Sequence, residues 1–172
     1  MDTNKIANTD KYDFGQIHKN ISSGTFKYLG KGSGRVVYDM GNGYAVKAAR
    51  NLKGIAQNKA EYKIAKNDNS GLFAHILIVS EDFKYLVMDK ADKVNSMAFV
   101  WTYFGVRSNK QFYRLKELHE ACSRNGVLPW DLGRSANWGL INGKPVVIDY
   151  GFTWEVRRKY YKPRIGKLLR RR

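Results

Sequence analysis

The chain has 172 residues, 43% of them apolar and 13% aromatic, a composition that suits a folded domain long enough to bury a core and excludes a low-complexity chain. Its one cysteine, Cys122, excludes an internal disulfide, and three scattered histidines (His18, His75, His119) offer no metal-ligand spacing. The net charge of +16 is uneven: residues 151–172 carry nine Lys or Arg against Glu155, and the first 150 carry 22 against 14, so half the excess lies at one end.

The basic stretch 157–172, RRKYYKPRIGKLLRRR, has the charge to attract nucleic acid or an acidic partner, with Tyr160 and Tyr161 available for stacking. A solvated tail that only aids solubility accounts for it equally well. The first residues are polar, without the apolar core of a signal peptide, and nowhere do eighteen apolar residues run together. The expectation is no membrane span, a reducing setting and a cytoplasmic location.

Residues 1–25 read as an N-terminal extension with Phe14 and Ile17 as docking points. The tripeptide Asp13-Phe14-Gly15 within it precedes every predicted strand and reads as a chance match. From Phe26 the pattern is β: FKYLGKGSGRVVYDM, a turn at Gly41 to Gly43, then YAVKAA. Gly30, Gly32 and Gly34 cluster at the first bend, where glycine allows positive φ and lets backbone N–H groups approach a phosphate, although hairpin turns use the same residues. Lys47 sits among Ala45, Val46, Ala48 and Ala49, an awkward place for a charge without a partner. The next segment, 51–67, reads as a helix of modest amphipathicity with Ile55, Tyr62 and Ala65 among its less polar positions. Glu61 near its middle is either the partner of Lys47 or one more exposed carboxylate.

AHILIVSEDFKYLVMDKA predicts two strands around a turn at Ser80 to Phe83. The apolar run 97–106 predicts buried helix or irregular core. Residues 108–126 predict a single helix capped by Ser108 or Asn109 and stopped by Gly126, with Phe112, Leu115, Leu118 and Cys122 along one side. Cys122 and His119 are read there as structural. The stretch Leu128 to Phe152 then sets Asp131 and Asn137 six residues apart, turns a hairpin at Asn142-Gly143 between Trp138–Ile141 and Pro145–Ile148, and ends an apolar strand on Asp149-Tyr150-Gly151. Loop-capping and strand-ending roles suffice for the three polar residues taken alone. Together they form an oxygen donor set of the kind that suits Mg²⁺.

The order of these parts resembles a protein-kinase-like fold: a glycine loop (YLGKGSGRVVY), a lysine strand (Ala45-Val46-Lys47), a helix glutamate, a Leu86-Val87-Met88-Asp89 strand leading to a hinge, a catalytic loop and an Asp-x-Gly after a hairpin. The resemblance covers roughly residues 26–153. It implies an α+β fold with an antiparallel N-lobe sheet and one helix (26–91), a reduced, mainly helical C-lobe (92–156) and a basic tail (157–172). It also implies that ATP is held at Gly30, Gly32, Gly34, Val37, Ala45, Lys47, Met88, Asp89 and Ala91. Glu61 would pair with Lys47, Asp131 would accept the acceptor's hydroxyl proton, Arg134 would contact the γ-phosphate, and Asn137 and Asp149 would hold Mg²⁺.

The departures are equally specific. Arg35 stands where the third glycine of G-x-G-x-x-G belongs, Pro129-Trp130 replace His-Arg before Asp131, and Asn137 lies one residue later than D-x-x-x-x-N places it. With 21 residues after Gly151 and no Ala-Pro-Glu motif, the expected C-lobe is short, more like the compact kinases of some tailed phages or a bacterial relative. The resemblance implies an ATP- and Mg²⁺-dependent Ser/Thr protein kinase of minimal form, in the host cytoplasm if phage-encoded. The alternatives are a pseudokinase that binds a partner through its basic surface, a nucleic-acid-associated protein, and a small-molecule kinase.

Overall fold

The computed structural model describes residues 12–161; most of the basic stretch 157–172, from residue 162 on, lies outside them. The described chain is α+β. Five strands, β1 (Lys27–Lys31), β2 (Arg35–Asp39), β3 (Tyr44–Ala49), β4 (Ile76–Val79) and β5 (Tyr85–Asp89), form an antiparallel sheet in the order β1-β2-β3-β5-β4. Consecutive strands are joined by tight turns, except that helix α2 (Leu52–Asn67) intervenes between β3 and β4. A second, three-stranded sheet consists of β6 (Asp92–Lys93), β7 (Trp138–Ile141) and β8 (Lys144–Val147).

Strand alternation sorts the side chains of the first sheet between two cores. Val46 and Val87 are fully buried on one face, where Ile17 packs against them. Ile17 belongs to α1 (Phe14–Ser22), whose N-cap is Asp13: its Oδ1 accepts a hydrogen bond from the Gly15 N–H at 2.7 Å. Asp13-Phe14-Gly15 is therefore a helix start on the outer face of the sheet, and burying Ile17 contributes on the order of 1.5–3 kcal/mol to holding it there.

The opposite face carries Ala45, Leu86 and Met88 into a larger core with Ile64, Val100, Phe112, Leu118, Leu132, Trp138 and Tyr150. The run 97–106 supplies α3 (Met97–Tyr103), which buries Met97 and Val100 and leaves Phe99 and Tyr103 exposed. The single helix expected over 108–126 is two, α4 (Asn109–Phe112) and α5 (Lys116–Asn125), because Leu115 is extended (φ −62°, ψ 125°). The break turns Phe112 toward Trp138 and Phe104, each with ring centroids 5.8 Å away, while Leu118 and Cys122 of α5 pack elsewhere in the core. Tertiary packing thus outweighs helical continuity. Ser108 caps α4 through the Gln111 N–H, and Gly126, at φ 64°, ends α5. His119 is exposed rather than structural.

Two 3₁₀ turns, Pro129–Gly133 and Ser135–Asn137, lead into β7. The β7–β8 hairpin turns at Asn142 (φ 52°) and Gly143 (φ 76°), the paired positive φ of a type I′ turn. Phe73 bridges to Val147, and the Tyr150 hydroxyl donates to the Ala74 carbonyl at 2.8 Å, so the hairpin is fixed to the segment before β4. Helix α6 (Trp154–Tyr160) follows, capped by Thr153. Among the described residues no helix is long and apolar enough to cross a membrane.

Candidate functional site

The two sheets and the 3₁₀ turns enclose a cavity of about 730 Å³, a size typical of small-molecule sites. Gly30, Gly32, Val37, Ala45, Lys47, Met88, Asp89, Ala91, Asp131, Arg134, Asn137 and Asp149 all line it. Part of the wall is apolar: Ala45 faces Met88 across β3 and β5, and Val37 lies opposite Lys47 across β2 and β3. The adjoining part is ionic, with Arg35, Lys47 and Asp149.

Gly34 and Glu61 do not line the cavity. None of Gly30, Gly32 and Gly34 has the positive φ that the sequence suggested for them. Gly34 is needed for close approach instead: a Cβ there would lie 2.6 Å from the Gly54 backbone nitrogen and 2.9 Å from its Cα. The glycine pair lets the β1–β2 bend pack directly onto the first turn of α2.

Glu61 is completely buried behind the ionic wall. Lys47 Nζ donates to its Oε1 at 2.8 Å and its Oε2 at 2.7 Å, and Arg35 donates to Oε1 at 2.9 Å. The Tyr150 and Gly151 N–H groups add bonds of 3.1 Å each, so Glu61 ties α2 to the segment after β8. The third donor of Lys47 reaches the Ile148 carbonyl at 2.5 Å. All three ammonium protons therefore have protein acceptors, while the residue still lines the cavity. Burial pushes its pKa down, with Glu61 opposing and Arg35 adding to the fall.

Arg35, noted in the sequence only as a missing glycine, is 4% exposed. Its guanidinium contacts Asn58 Oδ1 at 3.2 Å, Glu61 Oε1 at 2.9 Å and Asp149 Oδ1 at 2.5 Å. Burial disfavours its charge, but Glu61 and Asp149 outweigh that and raise its pKa further. Two buried cations thus face two carboxylates, which compensates each charge locally. The signal for Arg35 was present in the sequence: a cation heading the Val36-Val37 strand poses the same problem as Lys47.

Burial works against ionisation of Asp149, but the Arg35 and Lys47 charges prevail and hold its carboxyl below the usual range. The side chain is still 46% exposed, and its residue lines the cavity. Asp131 behaves oppositely: desolvation and then the charge of Asp149 raise its pKa, against the pull of Arg134, whose Nη1 donates to Asp131 Oδ1 at 3.3 Å. Two carboxyl groups in one cavity are thereby driven apart in acidity. Asn137 is oriented by donating its Nδ2 to the Asp131 carbonyl at 2.7 Å, while its own carbonyl accepts from the Ile148 N–H at 2.8 Å.

Asp149 Oδ2 and Asn137 Oδ1 accept no hydrogen bond among the described residues, and both residues line the cavity. A hard oxygen pair of this kind fits Mg²⁺. No cluster of three or more His, Cys, Asp or Glu suited to a metal exists among the described residues, so the remaining ligands would come from phosphate and water.

The fold and cavity define an α+β chain whose buried ionic cluster borders a pocket of ligand size. No family model matches the sequence, and no curated protein matches it. Among solved structures, the chain is similar to WbdD, in a co-crystal structure with the kinase inhibitor LY294002, at 16% identity and a TM-score of 0.42; the alignment covers 72% of this chain and 32% of that one. The chain thus spans about a third of the length of WbdD.

Proposed function

We propose that the protein is an ATP- and Mg²⁺-dependent phosphotransferase of minimal protein-kinase-like form, with a Ser or Thr hydroxyl of a protein as acceptor. The supporting observation is that one cavity is lined both by an apolar slot (Val37, Ala45, Met88) and by two carboxylates of opposite pKa displacement, Asp131 and Asp149, with Asn137. In this reading β1 to β5 with α2 form the N-lobe and the segments from β6 onward a reduced C-lobe.

Asn137 and Asp149 would hold Mg²⁺, which would supply neutralisation of phosphate charge. Asp131 takes the acceptor's hydroxyl proton as that oxygen forms its bond to the γ-phosphorus and the bond from phosphorus to the β–γ bridging oxygen breaks, releasing ADP. Its raised pKa, caused by burial and the nearby Asp149 charge, makes it a stronger base than an ordinary carboxylate. Arg134, with a side chain 68% exposed, can follow the transferring group. Catalysis of this kind is positioning and charge stabilisation.

The test is transfer of labelled γ-phosphate from ATP with Mg²⁺, to the protein itself and to a cell lysate, in wild type, Asp149→Ala and Asp131→Asn. Transfer lost in both variants supports the reading; transfer unchanged in Asp131→Asn removes the assigned base. One observation favours a second reading, a nucleotide-binding module without turnover: Lys47 and Asp149 are both engaged in internal ion pairs. Nucleotide-dependent thermal stabilisation with no transfer in wild type would support it.

A further inference from the structure

We propose that Arg35 is a positioning residue that sets the Asp149 carboxylate for metal; the inference rests on the phosphotransferase reading above. Strand alternation in β2 places Arg35 and Val37 on the cavity face, so the guanidinium extends inward beneath the glycine loop. It grips one oxygen only, Asp149 Oδ1 at 2.5 Å, and leaves Oδ2 without a protein partner among the described residues.

The guanidinium is itself held. Its Nη1 is fixed by Asn58, a completely buried side chain whose Nδ2 donates to the Phe83 carbonyl at 2.8 Å. Its Nη2 shares Glu61 Oε1 with Lys47. A continuous chain therefore runs from the β4–β5 turn through Asn58 and Arg35 to Asp149, and α2 carries both of the groups that anchor it. A planar fork with fixed donors suits this task, since it reaches three acceptors at once. A glycine at this position would leave Asp149 without that anchor. The outer contacts of a ligating carboxylate commonly decide how well it binds metal.

The experiment is Mn²⁺ binding followed by electron paramagnetic resonance in the presence of a non-hydrolysable ATP analogue, for wild type, Arg35→Met, Arg35→Lys and Arg35→Gly. Affinity for the analogue in EDTA is measured alongside. Mn²⁺ affinity is expected to fall about 10- to 100-fold in Arg35→Met. Metal-free nucleotide affinity should fall by a clearly smaller factor, because Arg35 lies outside the apolar slot of Val37, Ala45 and Met88. Arg35→Gly should regain Mn²⁺ affinity when methylguanidinium is added, a rescue that a general loss of stability would not show. Arg35→Lys, which keeps the charge without the fork, supplies the comparison if the Met variant does not fold, and the same loss is expected.

Unchanged Mn²⁺ affinity in a folded variant would overturn the inference alone. Tighter Mn²⁺ binding would also overturn it, by showing that Arg35 competes with the metal for Asp149. Failure of wild type to bind Mn²⁺ with nucleotide would instead overturn the phosphotransferase reading, and the inference with it.

Discussion

Replacing Glu61 with Gln should be among the most damaging single changes the protein can suffer. The carboxylate is fully buried and accepts from Lys47, Arg35 and the Tyr150 and Gly151 N–H groups. Gln keeps the volume, but it removes the charge and turns an N–H donor toward groups that are all donors. Breaking a buried ion pair from one side costs about 3–5 kcal/mol, because a charge is left without its counter-ion. Here two cations lose it, although Arg35 keeps Asp149 and Lys47 keeps the Ile148 carbonyl, so the same range applies rather than twice it. Lys47→Met should cost less, since Glu61 would retain Arg35 and both N–H donors. At about 2–4 °C per kcal/mol for a chain of this size, Glu61→Gln should lower Tm by roughly 6–20 °C. Urea unfolding followed by tryptophan fluorescence measures both variants. A Glu61→Gln protein within about 1 kcal/mol of wild type, or a larger loss for Lys47→Met, would refute the reasoning.

Gly34→Ala should destabilise by about 1–3 kcal/mol through overlap with Gly54, whereas Gly32→Ala, whose added Cβ meets nothing within 4 Å, should be close to neutral; urea unfolding of both separates steric contact from chain flexibility. Asp149 and Asp131 should give opposite pH dependences of Tm. The depressed pKa of Asp149 contributes stability above the unfolded-state pKa of about 3.9, lost as pH falls through the lower folded value. The raised pKa of Asp131 does the reverse: the folded state binds more protons between the two values, so stability is lost as pH rises through that window. Accordingly Asp131→Asn should raise Tm at pH 7 and Asp149→Asn should lower it; the first difference should shrink as pH falls toward about 4, and the second should persist there and fade only at lower pH. The Cys122 thiol, 2% exposed and pushed up to about 12 by burial, should react with a disulfide reagent only at the rate of opening or unfolding; rapid labelling of native protein would contradict its placement in the core.

The sheet and the hairpin were legible in the sequence because their signals are local. Asn142-Gly143, the turn at Ser80 to Phe83 and the short apolar runs of β3 and β5 each carry strand and turn chemistry within a few residues. The pairing of Lys47 with Glu61 was legible for a different reason: a cation in an apolar strand requires a counter-ion, and the following helix offers one. The break at Leu115 was not legible, because helical spacing is continuous across it and only the aromatic contacts of Phe112 with Phe104 and Trp138 reward the interruption. Arg35 carries a signal of the same kind as Lys47, a cation beside apolar Val36 and Val37, but its partners Glu61 and Asp149 lie 26 and 114 residues further along the chain. The buried face of α2 was also unreadable by hydrophobic periodicity, since Gln57, Asn58 and Glu61 occupy it beside Gly54 and Ile64. That helix packs through hydrogen bonds and charge.

The most direct test of the central claim is a crystal structure with Mn²⁺ and a non-hydrolysable ATP analogue, using anomalous scattering to locate the metal. The expected result is a metal peak between the Asp149 carboxylate and the Asn137 side-chain oxygen, with the base between Val37, Ala45 and Met88. Nucleotide bound elsewhere, or bound in the cavity with no metal at Asp149, would contradict it.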